Sequence, residues 1–248
     1  MKRDISFYAL LLVCFCFVGC QQKQLPEVLK SHKDLASFTK LADTVEVISL
    51  FNGNDLTNWY TYIDSLGVNA PESESFFTIE DSTLHFDGPY MGYLCTNDSY
   101  KNYYLKVVFH WGEKKYPPRE NSKRDSGILY HFPTDAVDNI WPNSIECQVQ
   151  EEDCGDYYFV SGSHADSPNK DAAVEGEQKH IARTANYENP GQEWNVMEII
   201  CIDDKSEHYV NGHLVNEAYN LSNTEGKILL QLEGAEVYYK TVELISLK

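Results

Sequence analysis

The chain is short of positive charge. It carries 20 Lys and Arg against 38 Asp and Glu in 248 residues, a net charge of −18. So acidic a surface repels phosphate backbones and anionic head groups, which argues against nucleic acid as a partner. Neutral sugars remain compatible with it. The sequence has no internal repeat and no low-complexity run, so a solenoid or a biased disordered chain is excluded. Beyond about residue 45 it has no long amphipathic helical pattern, which leaves strands as the building material. No Cys spacing fits a zinc site. Long apolar runs are missing too, except for one at the N-terminus.

That run, residues 7–19, follows Lys2 and Arg3 and ends in Phe17-Val-Gly-Cys20. It is too short to span a membrane and has the form of a lipoprotein leader with its cleavage box. The expectation is removal of residues 1–19, lipidation of Cys20, a tether over residues 20–44 and a folded domain over residues 45–248. In the tether, Val28, Leu29, Leu35, Phe38 and Leu41 are spaced for a short helix. Gln21-Gln-Lys-Gln24 lacks the acidic cluster that resembles a surface-export signal in Bacteroidetes-type lipoproteins. The expected address is therefore the outer membrane, periplasmic side, held by the lipid on Cys20. Of seven Cys, Cys14 and Cys16 leave with the leader and Cys20 is lipidated. Cys95, Cys147, Cys154 and Cys201 remain. An oxidising compartment permits disulfides, in three pairings that sequence cannot separate. Cys147 and Cys201 sit on apolar strand faces, and single buried thiols are the expectation.

From residue 45 onward the chain reads as many short strands. They are rich in Tyr, Phe, Val and Ile and are bounded by Gly, Asn, Asp and Pro. Residues 103–111, 127–132, 144–150, 194–202 and 227–232 are among them. Asn211-Gly212, between runs at 207–210 and 213–215, predicts a type I′ hairpin turn. Strands of this number and length predict an all-β sandwich or jelly roll. Two long stretches interrupt them. Residues 112–124 hold Lys114, Lys115, Arg119, Lys123 and Arg124, and residues 162–193 hold His164, Lys170, His180 and Arg183. Loops this long are commonly functional or disordered.

Two strands carry the functional signal. In Ser144-Ile-Glu-Cys-Gln-Val-Gln150, side chains alternate between faces. Ile145, Cys147 and Val149 suit a core. Glu146, Gln148 and Gln150 line up on the other face, as in the floor of a sugar-binding cleft. In Asp125-Ser-Gly-Ile-Leu-Tyr-His131, Leu129 and His131 share a face, so a neighbouring strand could bring His131 beside Glu146. An ordinary sheet with a wet outer face fits the same pattern.

Leu50-Phe-Asn-Gly-Asn-Asp-Leu-Thr-Asn-Trp59 resembles the "LFNGKDLSGW" opening of the 3-keto-disaccharide hydrolases, also described as 3-keto-glucoside lyases or hydratases. Asp125-Ser-Gly-Ile128 resembles that family's "NSGI", and Ile145-Glu-Cys-Gln-Val149 its "EYQI". Gly191-Gln-Glu-Trp-Asn195 resembles "GEWN" with one insertion, and Val210-Asn-Gly-His-Leu-Val215 resembles "LNGxxV". Leu230-Gln-Leu-Glu-Gly234 resembles "LQxHG", with Glu233 where many members have His. The matches run in order over residues 45–248. The resemblance implies a concanavalin A-like jelly roll and sugar processing.

A 3-keto sugar is acidic at C2, so one base can form an enolate and the C1 aglycone can leave. Water then adds back, giving net hydrolysis. This needs a base, an electrophile beside the C3 oxygen and a proton donor. Glu146 and His131 are the expected catalytic pair. A divalent metal ion, held by Glu146, His131 and Asp125, is left open as the electrophile, as is Lys115 or Arg124. Gln148, Gln150, Gln231 and Glu233 would bind sugar hydroxyls. Trp111, Tyr130, Trp141 and Tyr157 would stack on the ring, while Trp59 and Trp194 read as core. The chemistry requires an upstream sugar 3-dehydrogenase to supply the keto group. Two rivals stand beside this reading. One is a non-catalytic sugar-binding lipoprotein. The other is a conventional glycoside hydrolase, which needs two carboxylates; Glu146 stands alone on its strand unless Asp125, Asp156 or Glu233 faces it.

Overall fold

The computed structural model describes Glu27 and residues 47–169, 173–174 and 179–247. The leader and nearly all of the tether lie outside these residues, and with them the expected lipidation at Cys20 and the tether helix.

The strands follow the alternation of the sequence. In chain order they are β1 Val47–Ser49, β2 Trp59–Ile63, β3 Gly67–Val68, β4 Phe77–Glu80, β5 Thr83–Phe86 and β6 Met91–Thr96. Then come β7 Tyr103–Lys115, β8 Asp125–Phe132, β9 Ser144–Gln150, β10 Tyr157–Val160, β11 Ala173–Val174 and β12 Lys179–Ile181. The last are β13 Asn195–Ile202, β14 Lys205–Val210, β15 His213–Tyr219, β16 Lys227–Glu233 and β17 Ala235–Ser246. The expected strands are present. β2, β3, β11 and β12 are additions, all short and lying toward the ends of one sheet.

Two antiparallel sheets result. The first runs β15-β14-β13-β7-β17-β5-β4, with β1 also on β17; the second runs β11-β12-β10-β9-β8-β16-β6-β2-β3. Their apolar faces meet. Leu105, Val107 and Phe109 of β7 and Val237 and Tyr239 of β17 share one core with Ile128 of β8, Cys147 and Val149 of β9 and Leu230 of β16. Burial at roughly 25 cal/mol per Å² of apolar surface makes this alternation decisive, because a one-residue slip would turn the apolar set outward. Asn211 and Gly212 both have positive φ, 50° and 81°, as a type I′ turn requires. Cys95, Cys147, Cys154 and Cys201 are single buried thiols.

Candidate active site

The second sheet places the polar face. Across β8 and β9, Asp125 faces Gln150, Gly127 faces Gln148 and Leu129 faces Glu146. β10 sets Tyr158 opposite Glu146, and β12 sets His180 opposite Tyr158. Over this face lies a cleft of about 400 Å³. Asp125, Glu146, Gln148, Gln150 and Glu233 form its polar wall together with Arg119, and Trp141 and Tyr158 are its aromatic members.

Gly127 lies beneath two polar side chains of this face. A Cβ at that position would lie 2.0 Å from Gln231 Oε1 and 2.2 Å from Glu146 Oε1. Those two side-chain ends close over space that any other residue would fill. Gln231 is buried, and neither its Oε1 nor its Nε2 has a hydrogen-bond partner in the protein. A buried unsatisfied group costs about 1–3 kcal/mol, and a ligand hydroxyl would relieve it.

Three buried carboxyls surround one guanidinium. Arg119 Nη2 lies 2.5 Å from Asp125 Oδ2 and 2.9 Å from Glu233 Oε2. Gln150 Nε2 donates to Asp125 Oδ2 at 2.7 Å. Burial pushes Glu233 up to about 8, the neighbouring Asp125 charge adds to this, and Arg119 only partly offsets it. Burial also raises Asp125, against the pull of Arg119 and Gln150. Glu146 is raised well above the carboxylate range, first by burial and then by the charges of Glu233 and Asp125. The Asp125–Glu233 pair is therefore placed to share a proton, and burial favours the neutral form of Glu146.

A family model of the 3-keto-alpha-glucoside-1,2-lyase-like domain matches residues 46–245. The chain belongs to this family. Among curated proteins no match is found. A candidate glycosyl hydrolase from Parabacteroides distasonis is similar in structure, with TM-score 0.58 and 21% identity over 82% of this chain and 94% of that one. A carbohydrate-binding module from Bacillus subtilis has TM-score 0.52 and 14% identity over 77% and 96%. A β-glucanase from Bacillus licheniformis has 0.51 and 12% over 82% and 98%. At these identities the likeness establishes the jelly-roll fold.

In this member of the lyase-like family, Glu146, Gln148, Gln150, Asp125, Glu233 and Trp141 all line the cleft, whereas Gln231 is buried beside Glu146, over Gly127. His131 does not join them. Between Lys227–Phe132 and Leu229–Leu129 the β8–β16 register shifts, so Tyr130 and His131 oppose a single residue of β16. His131 takes φ 57°, as at a β-bulge. Its ring packs edge-on to Tyr103 and Tyr130, and its Nδ1 donates to Asn223 O at 2.9 Å. Burial lowers its pKa to about 4. It is an interior group, not the partner of Glu146.

Three of the expected stacking residues face the interior as well. Tyr130 and Tyr157 hydrogen-bond to Ser206 across the sandwich, and Trp111 is core with its Nε1 donating to Glu188. Lys115 Nζ donates to Ser122 O, and Arg124 is held by Gly112 O and Glu151; neither lines the cleft. Trp59 is core, but Trp194 lies on the outer face of the first sheet, edge-on to His110 and under Lys240.

The proposed metal donors do not assemble. His131 is interior, and Asp125 is already engaged by Arg119 and Gln150. The cation that the cleft does contain is Arg119, which the sequence reading placed in the basic loop without singling it out. Tyr158 was missed as well. Its neighbours in the strand are Tyr157 and Phe159, so hydrophobic alternation is silent about which face is which.

Proposed function

We propose that this protein cleaves 3-keto-glycosides by removing the C2 proton and eliminating the C1 aglycone. The observation that carries this reading is the arrangement around Arg119: Asp125 and Glu233 on one nitrogen of a fixed guanidinium, with the buried carboxyl of Glu146 in the same cleft. Membership of the lyase-like family supports it. Asp125, held against Arg119, acts as base at C2. The electron pair of the broken C–H bond moves into an enolate on the C3 oxygen. A guanidinium has five N–H donors, and its two carboxylate contacts engage a single nitrogen, so Arg119 can also stabilise that oxyanion. The C1–O bond then breaks, and Glu146 gives its proton to the departing oxygen. Water added across the new double bond places its oxygen on C1 and a proton on C2, completing net hydrolysis. Gln231, Gln148 and Gln150 bind ring hydroxyls, and Trp141 and Tyr158 take the apolar faces of the sugar.

A conventional hydrolase is the second reading, and one observation favours it. Glu146 is not alone, because Asp125 and Glu233 face it from neighbouring strands. The test is to incubate the protein with a 3-keto-glucoside and with its unoxidised parent. Aglycone release from the keto form alone supports elimination. Release from the parent supports the conventional reading, and binding without release supports a sugar-binding protein.

The N-terminal segment would set where the protein acts. A lipid on Cys20 would anchor it at the outer membrane, on the periplasmic side, and a sugar 3-dehydrogenase would act upstream. Labelled fatty acid incorporated into the wild type but not into Cys20→Ala would support the anchor.

A further inference from the structure

A second cluster lies on the outer face of the first sheet. His85 in β5, Asp87 just beyond it and Glu236 in β17 each bring one ligand atom to within 4.8 Å of the others. His85 and Glu236 are buried. The His85 ring is fixed by stacking on Tyr238, with centroids 4.2 Å apart and planes 4° from parallel. Glu236 Oε2 accepts the backbone N–H groups of Glu113 at 2.8 Å and Lys114 at 3.0 Å.

His85 stands between two carboxylates. Its Nδ1 is 3.1 Å from Glu80 Oε1, and its Nε2 is 3.0 Å from Glu236 Oε1. A neutral imidazole has one N–H, so it cannot donate to both. One ring nitrogen must then present its lone pair to a carboxylate oxygen, unless a cation lies between them or the ring carries a second proton. Lys114 Nζ reaches toward this place, 2.5 Å from Asp87 Oδ2 and 3.4 Å from Glu236 Oε1. Its side chain is 53% exposed and sits on a flexible stem that can swing into water. Three carboxylates, those of Glu80, Asp87 and Glu236, outnumber this one ammonium.

We propose that His85, Asp87 and Glu236 bind a divalent transition-metal ion of the zinc class, and that Lys114 stands in for it as a tethered cation. One imidazole nitrogen with two carboxylate oxygens is a donor set zinc accepts. Glu80 behind Nδ1 fixes the ring so that Nε2 is the ligand, as carboxylates do behind metal-bound histidines. Tyr116 donates to Asp87 Oδ1 at 2.5 Å and leaves Oδ2 to the ion. The site joins β5 to β17 and, through the backbone of Glu113 and Lys114, to β7.

The test is calorimetric titration of the full chain with zinc chloride near neutral pH, together with 15N spectra of the histidine rings. The expected result is one zinc per chain, a shift of the His85 ring nitrogens, and at least tenfold weaker binding in Asp87→Asn. His85→Ala should abolish binding, and Lys114→Met should strengthen it. Asp87 lies outside the core, so its variant decides the matter if His85→Ala fails to fold. Absence of saturable uptake by the wild type overturns the proposal. So does uptake that is unchanged in Asp87→Asn, or a His85 ring that holds two protons and ignores zinc.

Discussion

Asp125 and Glu233 close on the same nitrogen of Arg119, at 2.5 and 2.9 Å. One guanidinium thus serves two carboxyls, and the second can ionise only against the first. Glu233 is pushed up to about 8. Cleavage should therefore fall as pH rises through about 8, when a second negative charge draws Arg119 away from the substrate oxygen. In Glu233→Gln, which keeps the shape without the proton, the alkaline limb should move to higher pH. A limb that stays in place assigns it to another group. The readout is a pH profile of kcat/KM.

The same carboxyl should tilt stability. Its folded pKa lies above its unfolded value, so the native state binds the extra proton between about pH 4.5 and 8. Unfolding therefore becomes easier as pH rises through that window. Glu233→Gln should be more stable than the wild type at pH 8, by on the order of a few kcal/mol, and nearly equal at pH 4. Urea titrations at the two pH values give the comparison.

His131 offers the opposite sign. Burial holds it near 4 and His208 near 3, so both stay neutral in the fold while the unfolded chain takes up protons below about 6.5. Their share of stability is fully present above that pH and is lost as pH falls. His131→Ala should lose about 2 kcal/mol or more and several degrees of melting temperature. It should nonetheless keep kcat within about threefold where it is folded. A loss of about a hundredfold would return His131 to the chemistry.

Gly127→Ala should do the reverse. Its Cβ meets the ends of Gln231 and Glu146, which can move, so the fold should lose only about 1 kcal/mol. Displacing both groups by about 1 Å should lower kcat/KM about a hundredfold. Thermal melts beside steady-state kinetics separate the two effects.

The strands of the sandwich were legible because alternation and turn chemistry agree, as at Asn211-Gly212 and along Ser144–Gln150. Glu146, Gln148 and Gln150 were legible for the same reason. His131 was not. Period-2 reasoning carries through only if no residue is inserted, and the bulge at Tyr130 and His131 turns the ring inward. Trp111 and Tyr157 looked like platforms because an aromatic suits a core as well as it suits a sugar. Choosing Arg119 from five basic residues in one loop required the cleft itself, since only its reach to Asp125 and Glu233 distinguishes it.

The spatial order of strands in the first sheet differs from their order along the chain. β17 lies between β7 and β5 and also pairs with β1, yet every other described strand precedes it in sequence. As the chain emerges N-terminus first into the compartment where it folds, β13, β14 and β15 can zip onto β7, and β4 can pair with β5, while the seam between the two groups waits for β17. Throughout that wait, β5 and β7 present unpaired edges to any passing chain. A chaperone that shields β-edges until β17 arrives would therefore raise the yield of this protein.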